Sequence, residues 1–289
     1  MKYKIFIISL LSIVMLSSFI DKPAYKIFDE KGKETDYAKM LKTLKEADMI
    51  FFGELHNCPI AHWLEYELTK EMFQTFGNKL VLGAEMFEAD NQLIFNEYLN
   101  GLIPEAKFEE EMRLWNNYAT DYKPIVTYSK ENKIPFIATN IPRRYANMVF
   151  KNGMESLNNL SDEAKKFIAP LPIPYDGEVG CYKKMMEMSG GMGGHGGDNL
   201  PKSQAVKDAT MAHFILNNWS AGKVFFHFNG SYHSDFHEGI IYYLLQQKPD
   251  LKIVTISTVR QTSIDEVNEE NIGVADFVIC VPETMTNTY

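Results

Sequence analysis

Four stretches of the chain share one layout, an apolar run that stops at polar and titratable residues. Met49-Ile50-Phe51-Phe52 runs into Gly53-Glu54-Leu55-His56, and Leu80-Val81-Leu82 into Gly83-Ala84-Glu85-Met86. Phe136-Ile137-Ala138 runs into Thr139-Asn140-Ile141-Pro142-Arg143, and Val224-Phe225-Phe226-His227-Phe228 into Asn229-Gly230-Ser231-Tyr232-His233. Apolar runs of this length next to turn formers predict buried strands, of the kind that parallel sheets contain. Around them the apolar positions recur every three or four residues, which predicts helices. Such faces are Met40, Leu41, Leu44 and Ala47; Trp63, Leu64, Leu68, Met72 and Phe73; Val206, Ala209, Phe214 and Leu216; and Ile240, Ile241, Leu244 and Leu245. Leu251 to Ile256 and Asp276 to Val281 read as two further strands. The alternation predicts an α/β fold with a mainly parallel central sheet flanked by helices. It is suspended from about 150 to 220, where helix-like pieces, a proline run and a Gly/Met/His stretch predict a helical insertion that serves as a lid.

If the strands are parallel, their C-terminal ends share one edge of the sheet, where open α/β sheets place ligand crevices. His56, Glu85 and His233 are then expected to converge there with Glu54, and Gly53 and Gly230 to let the backbone turn and approach a ligand closely. Two carboxylates facing two imidazoles can bind a divalent metal, activate water, or hold a polar ligand. The residues alone leave these three readings open. On the metal reading the ligands are His56, Glu85 and His233. On the hydrolytic reading His56 or His233 is the base toward water, Glu54 and Glu85 orient it, and Arg143 steadies a developing oxyanion. No Gly-x-Ser-x-Gly elbow supports serine chemistry, and no Walker or dinucleotide fingerprint is present. His62, six residues past His56, either looks back at the site or lies on the surface of its helix, the latter being the commoner outcome. Trp115, Tyr118 and Tyr122 either wall a pocket for a flat ligand or plug the core. Met185 to Gly197 is so rich in glycine that it predicts a mobile surface loop. Its thioethers and imidazole suit a copper ion or a haem iron, and a plain linker accounts for it equally well.

Residues 1–20 change the picture of location. Lys2 and Lys4 precede an uncharged stretch from Ile5 to Ile20, the pattern of a signal peptide. Export to a periplasm or envelope is therefore expected, with one domain from 21 to 289. The formal charge of −9 becomes about −11 once that leader leaves, so no nucleic-acid partner is expected. Cys58, Cys181 and Cys280 are too few for a disulfide framework.

Taken together and in order, several strings resemble the motifs of the ChaN-like haem-binding family. They are Gly53-Glu54-Leu55-His56, Ala61-His62, Gly83-Ala84-Glu85-Met86-Phe87 with Gln92, and Trp115 with Tyr118 and Tyr122-Lys123-Pro124-Ile125. Asn140-Ile141-Pro142-Arg143, Gln204 with Asp208 and Met211-Ala212, and Gly230-Ser231-Tyr232-His233 complete the set, which spans roughly residues 45 to 260. This family shares a superfamily with the erythromycin esterases and the Tiki metalloproteases. The resemblance implies an α/β core with a helical insertion, an envelope location and haem binding for iron uptake, with haem paired face to face in a homodimer and a tyrosine on the iron. In the hydrolase relatives the two Gly-x-x-His strings and the second-strand Glu form the catalytic or metal-binding core, which carries over to His56, Glu85 and His233 with Glu54 beside them. Tyr182, beside the Met/His stretch, is the candidate haem tyrosine, with Met192 and His195 as further haem contacts. The chain departs from the family's lipoprotein pattern in having no lipid-accepting cysteine, which leaves peripheral contact with an envelope membrane or a haem transporter as the expected association.

Overall fold

The computed structural model describes residues 22–191 and 197–289, with side chains described outside 189–196. The proposed leader, Met192 and His195 lie outside the described residues. Eight strands form one sheet: β1 (Lys26–Asp29), β2 (Glu34–Thr35), β3 (Met49–Glu54), β4 (Leu80–Glu88), β5 (Phe136–Asn140), β6 (Val224–Gly230), β7 (Ile253–Gln261) and β8 (Phe277–Pro282). Their spatial order is β2-β1-β8-β7-β3-β6-β4-β5. The six strands that the apolar runs predict are all present and mutually parallel. The short β1 and β2 extend one edge antiparallel, and nothing in their four and two residues distinguishes them from loop in the sequence.

The unbroken runs are apolar because both faces of the sheet are covered. Ile50 and Phe52 of β3 face a core built with α1 (Tyr37–Leu44), α2 (Pro59–Phe76), α3 (Gln92–Leu99), α4 (Glu105–Glu111) and α5 (Lys123–Asn132). Met49 and Phe51 face the opposite way, into a core built with α6 (Arg143–Asn152), the short α7 (Asp162–Lys165), α8 (Gly180–Gly191), α9 (Asn199–Asn218) and α10 (Ile240–Gln247). The insertion is thus a packed layer: Val206, Met211 and Ile215 of α9 are fully buried in that second core. Part of the stretch expected as a loop is helical, since α8 runs through 185–191. Met and Glu are strong helix formers and carry the helix into the glycines. Among the described residues no helix is long and apolar enough to cross a membrane.

β3 and β4 follow each other in sequence but are separated in the sheet by β6, which pairs with both. The chain therefore leaves neighbouring strand ends in different directions, and a crevice opens at their C-terminal edge. Glu54 is in register with Gly230, and Ala84, just before Glu85, with Phe228.

Candidate functional site

The strand ends bring Glu54, His56, Glu85 and His233 together around a crevice of about 530 Å³, walled on one side by Gln204 and Lys207 of α9. The two glycines serve close packing within the protein. A Cβ on Gly53 would stand 2.9 Å from Ser231 Cα, and one on Gly230 would stand 2.7 Å from His56 Nε2 and 3.5 Å from Glu85 Oε2. His56 and Glu85 thus meet over a bare stretch of backbone. Glu85 is fixed there by the Gly230 N–H, which donates to its Oε2 at 2.8 Å, and by His233, whose Nε2 donates to its Oε1 at 3.1 Å.

The two histidines differ in what they can do. His233 is buried and also donates from Nδ1 to Asp208, whose other oxygen accepts from the Tyr182 hydroxyl at 2.7 Å. With a carboxylate on each nitrogen it must be an imidazolium. Burial alone would lower its pKa, but Glu85 and Asp208 outweigh that and raise it to about 10. Glu85 moves the other way: burial would raise it, and the charges of His233 and His56 hold it down at about 2. As bonded here, His233 spends both ring nitrogens on carboxylates and presents no free lone pair to the crevice.

His56 donates from Nδ1 to Glu54 Oε1 at 2.6 Å, which leaves Nε2 facing the crevice. A third of its side chain is exposed. Burial lowers its pKa, and the hydrogen bond to Glu54 and the charge of Glu85 more than offset this and raise it. Glu54 Oε1 also accepts from the Tyr122 hydroxyl at 2.6 Å. His56 is the imidazole of the crevice that can present a free nitrogen once deprotonated.

Beside the crevice lies a larger cleft of about 720 Å³, and Tyr289 borders both. Trp115 forms its wall, with its ring edge-on to His56 at 4.8 Å. Three arginines line it. Arg113 and Arg144 are bound to Glu88 and Asp90, while Arg143 is exposed and has no ion-pair partner among the described residues.

Several expectations need correction. Tyr182 is fully buried with its hydroxyl on Asp208, so its phenol faces the core and not the crevice. Arg143 lines the cleft and not the strand-end crevice, so it is not placed to steady an oxyanion beside His56. His62 is buried and points inward, with Nε2 3.3 Å from the His56 carbonyl, and Trp63 is 49% exposed in its place. The buried face of α2 includes His62, Glu65 and Thr69, where His62 pairs with Glu65 Oε2 and Thr69 donates to the Glu65 carbonyl. The aromatic trio divides: Tyr118 and Tyr122 are core, and Trp115 is cleft wall. Asp208 stood among the family-like strings with no role assigned, and Glu65, Asp121 and Tyr289 were missed, since polar residues on helices and a tail carry no periodic signal.

Comparison with known proteins supplies the remaining facts. The family model described as haem-binding uptake, Tiki superfamily, ChaN matches residues 40–244. No curated protein matches the chain. Among solved structures, ChaN of Campylobacter jejuni with cofacially bound haem aligns with a TM-score of 0.65 at 19% identity, covering 88% of this chain and 96% of that one. A mutant erythromycin esterase, EreC, in its open conformation aligns with a TM-score of 0.51 at 11% identity, covering 90% and 97%. At these identities the likeness is one of fold.

Proposed function

We propose that this chain, which belongs to the ChaN haem-binding uptake family of the Tiki superfamily, binds haem in the cleft beside the strand-end crevice and serves haem or iron uptake as an exported protein. The observation that carries the reading is the polarity of that cleft. The apolar Trp115 and Leu114 and Arg143, which has no ion-pair partner among the described residues, line the cleft together with Tyr289, which also borders the crevice, and His56 stands beside Trp115. A porphyrin is flat, carries two carboxylates and needs an axial ligand, so these residues fit it. Haem supplies an iron that takes an axial nitrogen or oxygen donor. For its part the chain offers the Tyr289 phenol, 63% exposed, or the His56 Nε2, an apolar face, and a guanidinium suited to a carboxylate.

The test is a haem titration of the purified chain followed by absorbance. A shifted Soret band at micromolar haem is expected, and no shift overturns the reading. Tyr289→Phe and His56→Ala report the iron ligand through changes in the same spectrum, and Met192→Ala and His195→Ala test the contacts expected from sequence. Homodimerisation across the open cleft belongs to the same proposal, and light scattering with and without haem measures it. Export is tested by deleting residues 1–20, which should retain the protein in the cytoplasm.

A second reading rests on the His56–Glu54 pair. A carboxylate on Nδ1 and a crevice-facing Nε2 are what a general base toward water requires, and Glu85 lies across Gly230 from it. An esterase and peptidase screen tests this, and activity unchanged in His56→Ala removes it. A divalent metal held by His56, Glu85 and His233 is less well supported, because both nitrogens of His233 are already bonded to carboxylates.

A further inference from the structure

Behind the crevice, on the far side of Glu54, three carboxylates surround one imidazole. Glu54 ends β3, His62 and Glu65 stand three residues apart on α2, and Asp121 comes from a π-helical turn, Tyr118–Tyr122. None of the four side chains is more than 5% exposed. His62 Nδ1 lies 3.3 Å from both Glu54 Oε2 and Glu65 Oε2, and it hydrogen-bonds only the latter. Glu54 Oε2 and Glu65 Oε1 are left buried without a hydrogen-bond partner. His62 and, through Glu54 Oε1, His56 can bring at most two positive charges to three carboxylates, so the cluster keeps a surplus of buried negative charge.

The geometry points to a divalent metal site here, with zinc as the best-matched ion, held by Glu54, His62 and Glu65. Donor atoms of these three residues lie within 4.8 Å of one another. Two ligand atoms bound to a tetrahedral zinc at about 2.0–2.1 Å stand about 3.4 Å apart, and both His62 pairs are at 3.3 Å. Imidazole and carboxylate donors together suit zinc among the first-row ions. The outer shell is also built. His62 Nε2 hydrogen-bonds the His56 carbonyl at 3.3 Å and lies 3.3 Å from Asp121 Oδ2, which in turn accepts from Asn117 and Thr288 at 2.7 Å each. An outer carboxylate of this kind fixes the tautomer of a metal-bound imidazole. π-Helical turns occur often at functional sites. An ion on Glu54 Oε2 also anchors the carboxylate whose other oxygen holds His56 and Tyr122, so it serves the crevice without facing it.

The competing arrangement replaces the ion with a proton. Burial, and then the charge of Glu54, raise the Glu65 pKa, and a neutral Glu65 carboxyl donating to Glu54 would satisfy the same oxygens. Glu65→Gln separates the two, because an amide mimics the neutral carboxyl and is a poor zinc ligand. The full chain, stripped of metal with a chelator and free of haem, is titrated with zinc chloride and followed by calorimetry and thermal unfolding. Expected are one zinc per chain and a Tm rise of roughly 5 °C or more at zinc 100-fold above Kd. Both should be absent in Glu65→Gln, whose Tm should match that of the stripped wild type. No zinc-dependent shift in the wild type, or zinc binding retained by Glu65→Gln, overturns the site. If Glu65→Gln does not fold, X-ray absorption at the zinc edge of the wild type decides. One imidazole among the ligands supports the site, and two, the number His56 and His233 would give, overturn it. The titration uses no haem, so it stands whether or not the haem reading does.

Discussion

Asp208→Asn tests the electrostatics of the crevice where the structure is most specific. His233 is flanked by Asp208 on Nδ1 and Glu85 on Nε2 and is buried among them. Its pKa rises from 6.5 to about 10, against the opposing effect of burial. At about 1.4 kcal/mol per unit, that displacement sets a ceiling of about 5 kcal/mol on what the two carboxylates contribute through it. Removing one partner of a buried ion pair generally costs about 3–5 kcal/mol. Asn still accepts the Nδ1 hydrogen bond, so the lower end, about 3 kcal/mol, is expected, or a drop in Tm of roughly 6–12 °C. The sign with pH follows from the raised pKa. A histidine stabilised as a cation contributes fully below its unfolded value near 6.5 and loses that contribution as pH climbs toward about 10. The deficit of Asp208→Asn should therefore be greatest near pH 6 and shrink steadily by pH 9. Urea unfolding of wild type and variant at pH 6, 7.5 and 9 measures it. A deficit under about 1 kcal/mol at pH 6, where about 3 is expected, or one that grows with pH, refutes the imidazolium assignment.

Three further outcomes follow from the same contacts. Gly230→Ala places a Cβ 2.7 Å from His56 Nε2, closer than such atoms approach, so it should displace the imidazole at about 1–3 kcal/mol. The His56 resonances in an NMR spectrum would shift, and an unchanged ring environment would contradict the packing. Tyr122→Phe removes a buried 2.6 Å hydrogen bond to Glu54 and should destabilise by about 1.5–3 kcal/mol, read by urea unfolding, with a loss under about 0.5 kcal/mol counting against a charged Glu54. Phe108→Ala, at a residue that lines neither the crevice nor the cleft and whose ring stacks on Tyr98 at 4.3 Å in the core, should cost about 3–5 kcal/mol while leaving the haem spectrum unchanged, which separates loss of stability from loss of the site.

The sheet was legible because its central strands are buried on both faces, and a short apolar run bounded by turn formers is the direct trace of that burial. Met49 to Phe52 is too short for a buried helix and too apolar for a loop, and the register that pairs Glu54 with Gly230 follows from where the runs stop. The convergence of His56, Glu85 and His233 was legible for the same reason. What surrounds them was not. Asp208 and Glu65 sit on helices that carry many other polar and charged residues, and a buried carboxylate looks the same in sequence as a solvated one. Periodicity misled for α2: it placed Trp63 inward, whereas the polar cluster turns His62 and Glu65 inward and leaves Trp63 49% exposed. Hydrophobic pattern reports transfer free energy alone, so it fails where buried charges pair with one another. Tyr182 failed for a related reason, since nearness in sequence to a glycine-rich stretch says nothing about which way a helix face points.

The haem and hydrolase readings draw on one crevice, and its charge state shows what they share. Glu85 and Asp208 favour the cationic form of His233, which stands as a positive charge behind Glu85 with both nitrogens engaged. Glu54 does not lock His56 in this way, because only Nδ1 is engaged. The asymmetry between two histidines in similar Gly-x-x-His strings thus arises from the second carboxylate, supplied to His233 by α9 and not supplied to His56. A free Nε2 on a partly exposed ring is what the general-base reading needs, and it is one of the two iron donors, with the Tyr289 phenol, that the haem reading offers. The choice between them then rests outside the strand ends, on what the neighbouring cleft admits. An indole wall and an arginine with no ion-pair partner among the described residues suit a flat anionic ligand, which is the condition the haem reading sets for the neighbouring cleft.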